Sequence, residues 1–147
     1  PGGVPGASSV LTVTGPAAAN TSGEVNLNGI AATPDGRTLI VAHSTQGALY
    51  TVNPVTGASR LLFAPIGQDG ILYEAGRLWV AEPFLNQVSR LRLSPTGAVV
   101  EETITSPLFQ TPTTVAIHGN RLAAVNAKFD TGFPPTADEY EIVIVDR

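Results

Sequence analysis

Short apolar stretches alternate with turn sequences along the whole chain, and this pattern repeats. In the first unit, residues 29–32, 38–42, 48–52 and 60–63 are mostly apolar and are joined by turns such as TPDG and PVTG. In the second unit, residues 88–93 alternate between apolar or small and charged side chains, which is typical of a half-exposed strand. No stretch combines helical periodicity with capping residues. The pattern therefore predicts an all-β fold.

The repeated units begin near residues 28, 69 and 113. A repeat of about forty residues in a β-rich chain is typical of propeller blades, each built from four strands. The third unit supplies only three predicted strands, whereas residues 10–13 form a predicted strand outside any unit. We expect that strand to complete another blade. The sequence thus predicts about three blades of a β-propeller over residues 10–147, preceded by a linker or disordered end at residues 1–9.

Three blades are too few to close a ring, since propellers have roughly 4 to 8. The chain also begins with Pro1 rather than Met. We therefore expect it to be part of a longer propeller, completed by another chain or by a second copy of itself. In a symmetric pair, the strand at residues 10–13 of each copy would complete the last blade of the other.

Composition excludes several classes of function. The net charge is −4 and the few basic residues are scattered, so a nucleic-acid partner is not expected. No apolar run approaches the roughly 18 residues of a membrane span. The absence of Cys excludes disulfides, thiolate chemistry and a Cys/His zinc site. It leaves the compartment open, with a secreted or extracytoplasmic location favoured over a cytoplasmic one.

Propeller topology places two sets of polar residues on one face of the disc, near its axis. In each blade, the first strand lies nearest the axis and starts at that face, and the antiparallel second strand ends at the same face. The residues before the inner strands are Asn28, Asp69 and Thr113, and those ending the second strands are His43, Glu82 and Asn126. Amide and carboxylate oxygens gathered near one axis suit a hard cation such as Ca²⁺, which takes 6–8 oxygen ligands.

Simpler interpretations exist for several of these residues. Asn-Gly and Asp-Gly are strong turn signals, and Asp35-Gly36 is assigned to a turn only. His43 also fits a hydrogen-bonded imidazole at a strand end. Trp79 and Phe84 are assigned to the blade core and rim rather than to a substrate platform. Ser44 beside His43 does not predict a catalytic pair, because adjacent strand residues point apart.

Two segments of the chain resemble a known family. NGIAATPDGRTLIVAHSTQGALYTVNPVTG and DGILYEAGRLWVAEPFLNQVSRLRLSPTG are similar to the later blades of the senescence-marker-protein/gluconolactonase (regucalcin-like) six-bladed propellers. The resemblance covers residues 27–125. It implies a divalent cation at the centre of one face, with Asn28 and Asp69 as ligands and a Glu ligand from the first blade. The chain would then be the C-terminal half of a six-bladed ring, and its partner the N-terminal half.

Two functions follow from the resemblance and the predicted face. The first is a divalent-metal-dependent hydrolase of lactones or related esters, with Asp69 as catalytic base and Asn28 as a neutral metal ligand. His43, Glu82, Asn126 and Thr113 would then contact the small-molecule substrate. The second is a non-catalytic propeller that binds a small molecule or a protein, with any calcium structural.

Overall fold

The computed structural model describes residues 6–147, which form three antiparallel sheets. Blade 1 contains β1 (Leu27–Ala32), β2 (Leu39–His43), β3 (Ala48–Val52) and β4 (Ser59–Phe63). Blade 2 contains β5 (Ile71–Glu74), β6 (Arg77–Glu82), β7 (Gln87–Ser94) and β8 (Gly97–Thr105). Blade 3 contains β9 (Pro112–His118), β10 (Arg121–Asn126) and β11 (Ile142–Asp146). Short 3₁₀ segments lie at Pro16–Ala18, Pro83–Leu85 and Phe129–Thr131.

Strands in blades 1 and 2 pair in sequence order, and blade 3 follows the same order with one strand fewer. This arrangement confirms the predicted all-β fold and the predicted number of blades. None of the helices in the described residues is long and apolar enough to cross a membrane.

Residues 10–13 do not form the predicted strand. The segment leading to Thr14 reaches a sheet only at Thr14 itself, which makes an isolated parallel bridge to Ala58. Leu11 and Val13 instead pack against the apolar face of blade 1 that points away from blade 2. Three of these four residues are apolar, and the single bridge at Thr14 does not build a ladder, so the segment covers a face rather than extending a sheet. That it completes another blade stays a prediction. Residues 1–5 of the predicted linker lie outside the described residues.

Two apolar cores hold the blades together, and blade 2 contributes to both. In β6, Leu78 and Val80 pack into the core shared with blade 1, whereas Trp79 and Ala81 pack into the core shared with blade 3. Alternate residues of a strand face opposite sides of the sheet. Because both sides of blade 2 are covered, β6 reads as a continuous apolar run rather than an alternating one.

Blade 3 presents an open side. β11 pairs with β10 and with no further strand among the described residues. Its side chains Ile142 and Ile144 are 65% and 52% exposed. An apolar edge strand of this kind invites pairing with another strand.

The inner strands of neighbouring blades meet at two glycines. A Cβ on Gly29 would collide with the backbone oxygen of Asp69, and a Cβ on Gly70 would collide with the backbone oxygen of Thr113. The Gly70 amide donates a hydrogen bond of 2.7 Å to that Thr113 oxygen. Neither glycine has the positive φ that a hairpin turn requires, unlike Gly36 at 67°. Gly29 and Gly70 therefore serve close backbone approach, and Asp35-Gly36 is the turn that the sequence predicted.

Substituting Gly29 or Gly70 is expected to force the inner strands apart. We expect Gly29→Ala and Gly70→Ala each to lower the free energy of unfolding by about 1–3 kcal/mol, because the added methyl group meets backbone rather than a flexible side chain. Gly67→Ala is the matched control, since a Cβ added at Gly67 would have no other atom within 4 Å. Urea unfolding followed by the fluorescence of the single Trp79 measures all three. Equal effects at Gly29 and Gly67 would contradict the close approach.

Arg147 ties the last strand to blade 2. Its guanidinium lies 5.7 Å from the Trp79 ring centroid and donates hydrogen bonds to both carboxylate oxygens of Glu74. Hydrogen bonding from Arg147 is the main cause that lowers the pKa of Glu74 below its ordinary value of 4.5. A carboxylate with a lowered pKa in the folded state stabilises the fold above pH 4.5, and this contribution is lost as the pH falls through the folded-state value.

We expect Glu74→Gln to lower the free energy of unfolding at pH 7 by up to about 1 kcal/mol, the range of partly exposed ion pairs. The loss should shrink towards pH 3, where the carboxyl of the parent chain is protonated. Urea unfolding at both pH values measures the difference, with the exposed Glu139→Gln as control. The same loss at both pH values would show that charge pairing is not the cause.

Candidate functional site

Asn28 and Asp69 lie side by side where blades 1 and 2 meet. The close approach of Gly29 to the Asp69 backbone brings the two residues together. Burial raises the pKa of the Asp69 carboxyl, and the neighbouring Asn28 side chain opposes this by hydrogen bonding. The Asn28 amide also donates a hydrogen bond of 3.2 Å to the Ser44 hydroxyl. The structure thus pairs the two side chains for which the sequence predicted a shared role.

Both residues line a cavity of about 380 Å³. Polar side chains form one part of its wall and aromatic side chains another. The polar lining residues are Glu24, Asn28, Ser44, Thr45, Gln68 and Asp69, and the aromatic ones are Phe84, Phe129 and Phe133. Gly23, Val25, Gly67 and Pro83 complete the lining. A volume of this size is sufficient for a small organic ligand.

The hydrogen-bond donors of the polar wall already have partners within the protein. The Ser44 hydroxyl donates to the Gln68 backbone oxygen at 3.2 Å, and the Thr45 hydroxyl donates to the Val25 backbone oxygen at 2.6 Å. The Gln68 amide donates to the Ala48 backbone oxygen at 2.9 Å. What remains on this wall is mainly acceptor oxygen.

Gln68 carries an unusual oxygen. The residue is only 4% exposed, and among the described residues its side-chain Oε1 has no hydrogen-bond partner. A buried acceptor without a donor is costly, and such atoms in native structures call for an explanation. Gln68 directly precedes Asp69 and lines the same cavity, so its side chain belongs to the candidate site.

His43 and Glu82 lie at the predicted strand ends but do not line the cavity. His43 is fully buried, with its Nε2 at 2.8 Å from the Ala19 backbone oxygen. The buried Glu82 carboxylate accepts hydrogen bonds from the Gln87 amide at 2.9 Å and from the Ser89 hydroxyl. Both side chains therefore bind neighbouring segments of the chain away from the cavity, and their contact with a substrate stays a prediction.

Asn126 and Thr113 also lie outside the cavity lining. The buried Asn126 side chain accepts a hydrogen bond of 2.9 Å from the Gln110 amide and donates one of 2.9 Å to the Leu108 backbone oxygen. Thr113 contributes its backbone oxygen to the contact with Gly70. The substrate contacts of these two residues stay a prediction. Of the six polar residues predicted on this face, the structure brings Asn28 and Asp69 into one cavity.

Several lining residues were not predicted from the sequence. Ser44 follows His43 on the strand end, and strand alternation explains why His43 is buried while Ser44 reaches the cavity. For Gln68 the sequence gives one weak indication of a place in the site, namely that the residue directly precedes Asp69-Gly70. Glu24 and Phe133 lie in segments without regular structure, where the sequence pattern gives no direction for a side chain.

The residues present fit part of a cation site. Among residues 6–147, no group of three or more His, Cys, Asp or Glu side chains is placed to hold a metal ion. Asn28 and Asp69 nevertheless offer neighbouring amide and carboxylate oxygens on one cavity wall. Hard cations such as Ca²⁺ prefer such oxygens but take 6–8 of them. These residues could therefore hold a cation only together with further ligands.

Comparison with known proteins identifies the fold. No family model matches the chain, and no curated protein matches it by sequence. Solved structures do match, including a calcium-binding protein, regucalcin, from Agrobacterium tumefaciens, at 22% identity over 68% of this chain with a TM-score of 0.57. A putative 6-phosphogluconolactonase from Bacteroides uniformis matches at 13% identity over 92% of the chain, with a TM-score of 0.61. The nidogen/laminin complex matches at 17% identity over 85% of it, with a TM-score of 0.60.

The chain spans only about two fifths of these proteins, since it covers 37%, 41% and 44% of the three matched chains, respectively. Identities this low show a shared fold and no more. Regucalcin is among the matches, as the two quoted sequence segments indicated. The described chain is therefore part of a β-propeller, with three of its blades.

Proposed function

We propose that this chain forms part of a metal-dependent hydrolase of lactones or related esters, with its site in the cavity between blades 1 and 2. The observation that carries the proposal is the pairing of Asn28 and Asp69, which come from neighbouring blades and line one cavity. Two of the matched structures are described as a calcium-binding protein and a putative lactonase, which supports the same assignment.

Asn28 and Asp69 would hold the divalent cation, calcium or another, together with ligands from the rest of the ring. A cation bound there would polarise the carbonyl group of the substrate. Asp69 acts as the general base that takes a proton from the attacking water. Water adds to the carbonyl carbon, the ring C–O bond breaks, and the product is a hydroxy acid. Asn28 contributes a neutral oxygen, so it leaves the positive charge of the cation available.

A second function has its own support. The cavity lacks His43, Glu82 and Asn126, the side chains expected to position a substrate. The nidogen/laminin complex shares the fold and is a protein–protein assembly by its description. In this alternative the propeller binds a small molecule or a protein without turnover, and any calcium stabilises the structure.

We further propose that the ring is completed by an N-terminal half of the same six-bladed propeller. The open edge of β11 and its exposed Ile142 and Ile144 support a missing neighbour. That half would also supply the remaining cation ligands, including a glutamate. The alternative is a second copy of this chain, in which Asn28 and Asp69 would each occur twice around the axis.

Removing either proposed ligand is expected to weaken calcium binding. We expect Asn28→Ala and Asp69→Asn each to lower Ca²⁺ affinity at least about tenfold, the usual cost of losing a metal contact. Asp35→Asn is the matched control, because Asp35 lies in the turn of the opposite face and its hydrogen bond to Thr33 persists with an amide oxygen. Isothermal titration calorimetry measures all four proteins, each assembled into the complete ring that supplies the remaining ligands. Unchanged affinity in Asp69→Asn would contradict the assigned cation site.

A measurement of lactone turnover distinguishes the hydrolase from the non-catalytic binding propeller. The hydrolase is expected to open simple lactones, with acid release measured in a pH-stat, and Asp69→Asn should abolish that release. Calcium binding that raises the unfolding temperature without any turnover on a lactone and ester panel would instead support the binding propeller.

Native mass spectrometry in the presence of Ca²⁺ tests the assembly. We expect a complex with a second, different chain of similar mass when the protein is isolated from its source. A homodimer would support the symmetric pair instead. A stable monomer of this chain would contradict both assemblies, since the open edge of β11 would then have no neighbour.

A further inference from the structure

Three phenylalanines form an aromatic wall beside the polar residues of the cavity. Phe84 lies in the 3₁₀ segment that follows β6, and Phe129 and Phe133 lie in the connection between β10 and β11. Phe84 and Phe133 are 81% and 80% exposed. The rings of Phe129 and Phe133 pack with centroids 5.2 Å apart at an angle of 54°. Exposed aromatic side chains grouped at one cavity mark a ligand contact rather than a random surface.

The aromatic wall is poorly suited to a ligand rich in hydroxyl groups, because phenylalanine side chains offer no hydrogen-bond partner. On the polar wall, the Ser44 and Thr45 hydroxyls and the Gln68 amide already donate hydrogen bonds to backbone oxygens. Hydroxyl groups of a sugar lactone could donate to the acceptor oxygens of that wall, but those that face the three phenylalanines would have no partner. Burying hydroxyl groups without enough partners weakens binding.

Charge also restricts the ligand. Asp69 and Glu24 line the cavity, and no Lys or Arg is among its lining residues in the described part of the chain. The carboxylates of Asp69 and Glu24 balance the two charges of the proposed cation, so a phosphorylated or carboxylated ligand would find neither excess positive charge nor a basic side chain. A neutral ligand fits this environment better.

We propose that the cavity accepts neutral lactones that carry an aliphatic or aromatic substituent. The lactone carbonyl faces Asn28 and Asp69, and the apolar substituent lies on Phe84, Phe129 and Phe133. This inference rests on the proposed hydrolase function and specifies its substrate class. The cavity of about 380 Å³ has room for a lactone ring with a substituent of several carbons.

A series of γ-lactones of increasing side-chain length tests the proposal. Each fully buried CH₂ group strengthens binding about fourfold. We therefore expect γ-dodecalactone to bind the Ca²⁺-loaded protein at least about 30-fold more tightly than γ-butyrolactone, with γ-octalactone between them. Glucono-δ-lactone should bind no more tightly than γ-butyrolactone. Isothermal titration calorimetry under identical buffer conditions gives the four affinities.

Phe84→Ser and Phe133→Ser are expected to flatten the series, because each removes apolar surface that the longer side chains would cover. Both side chains are highly exposed, so neither change should affect folding. Leu85→Ser is the matched control: Leu85 is adjacent to Phe84 and 60% exposed, but it does not line the cavity. It should keep the full dependence on side-chain length.

Two results would overturn the substrate class. One is equal affinity along the series, or tighter binding of glucono-δ-lactone, in a protein that binds Ca²⁺. The other is a change of oligomeric mass in Phe84→Ser, which would make the aromatic wall an assembly surface. Failure of the proposed hydrolase looks different: calcium binding by the complete ring would be absent, or unaffected by Asp69→Asn, whatever the lactone series shows.

Discussion

The close approach of the inner strands at Gly29 and Gly70 determines where the candidate site can form. At both positions the neighbouring atom is a backbone oxygen, which cannot move without moving its whole strand. The residue before each glycine is carried to the same place, so Asn28 and Asp69 become neighbours through backbone packing rather than through their own interactions. In successive blades, a glycine thus permits the close approach of the strands and thereby fixes the position of the polar side chain that precedes it.

Blade 2 is packed on both faces, and this packing holds the neighbouring inner strands in place. Leu78 and Trp79 are almost completely buried on opposite sides of the same strand, so blade 2 is fixed by cores on both faces. The polar wall of the cavity rests on this packed region. The aromatic wall belongs to the connections after β6 and β10, where sequence can change without disturbing the cores. Such an arrangement lets one propeller keep its polar centre while the apolar contacts of its ligand vary.

The sequence was sufficient to predict most of the fold. Strand periodicity and turn residues are visible within short stretches, and the repeat is visible when the chain is aligned with itself. The repeat also placed Asn28 and Asp69 correctly on one wall. The pattern failed at residues 10–13, since three apolar residues and a threonine do not reveal whether they meet a strand edge or a sheet face. For His43 and Glu82 it did not show that the side chains would be buried and hydrogen-bonded away from the cavity. Position at a strand end fixes the face of the disc, but tertiary partners decide where a side chain points.

The energetics of Asp69 favour a function over a purely structural role. Its burial raises the pKa of the carboxyl, so the ionised form is less favourable in the fold than in water. No Lys or Arg within residues 6–147 lines the cavity to compensate, and Glu24 adds a second carboxylate to the lining. A structural position could be filled by an amide at lower cost. A cation that binds only the folded chain would reverse the penalty, because its binding free energy adds to the stability of the native state. The cost of burying Asp69 therefore supports the proposed cation site.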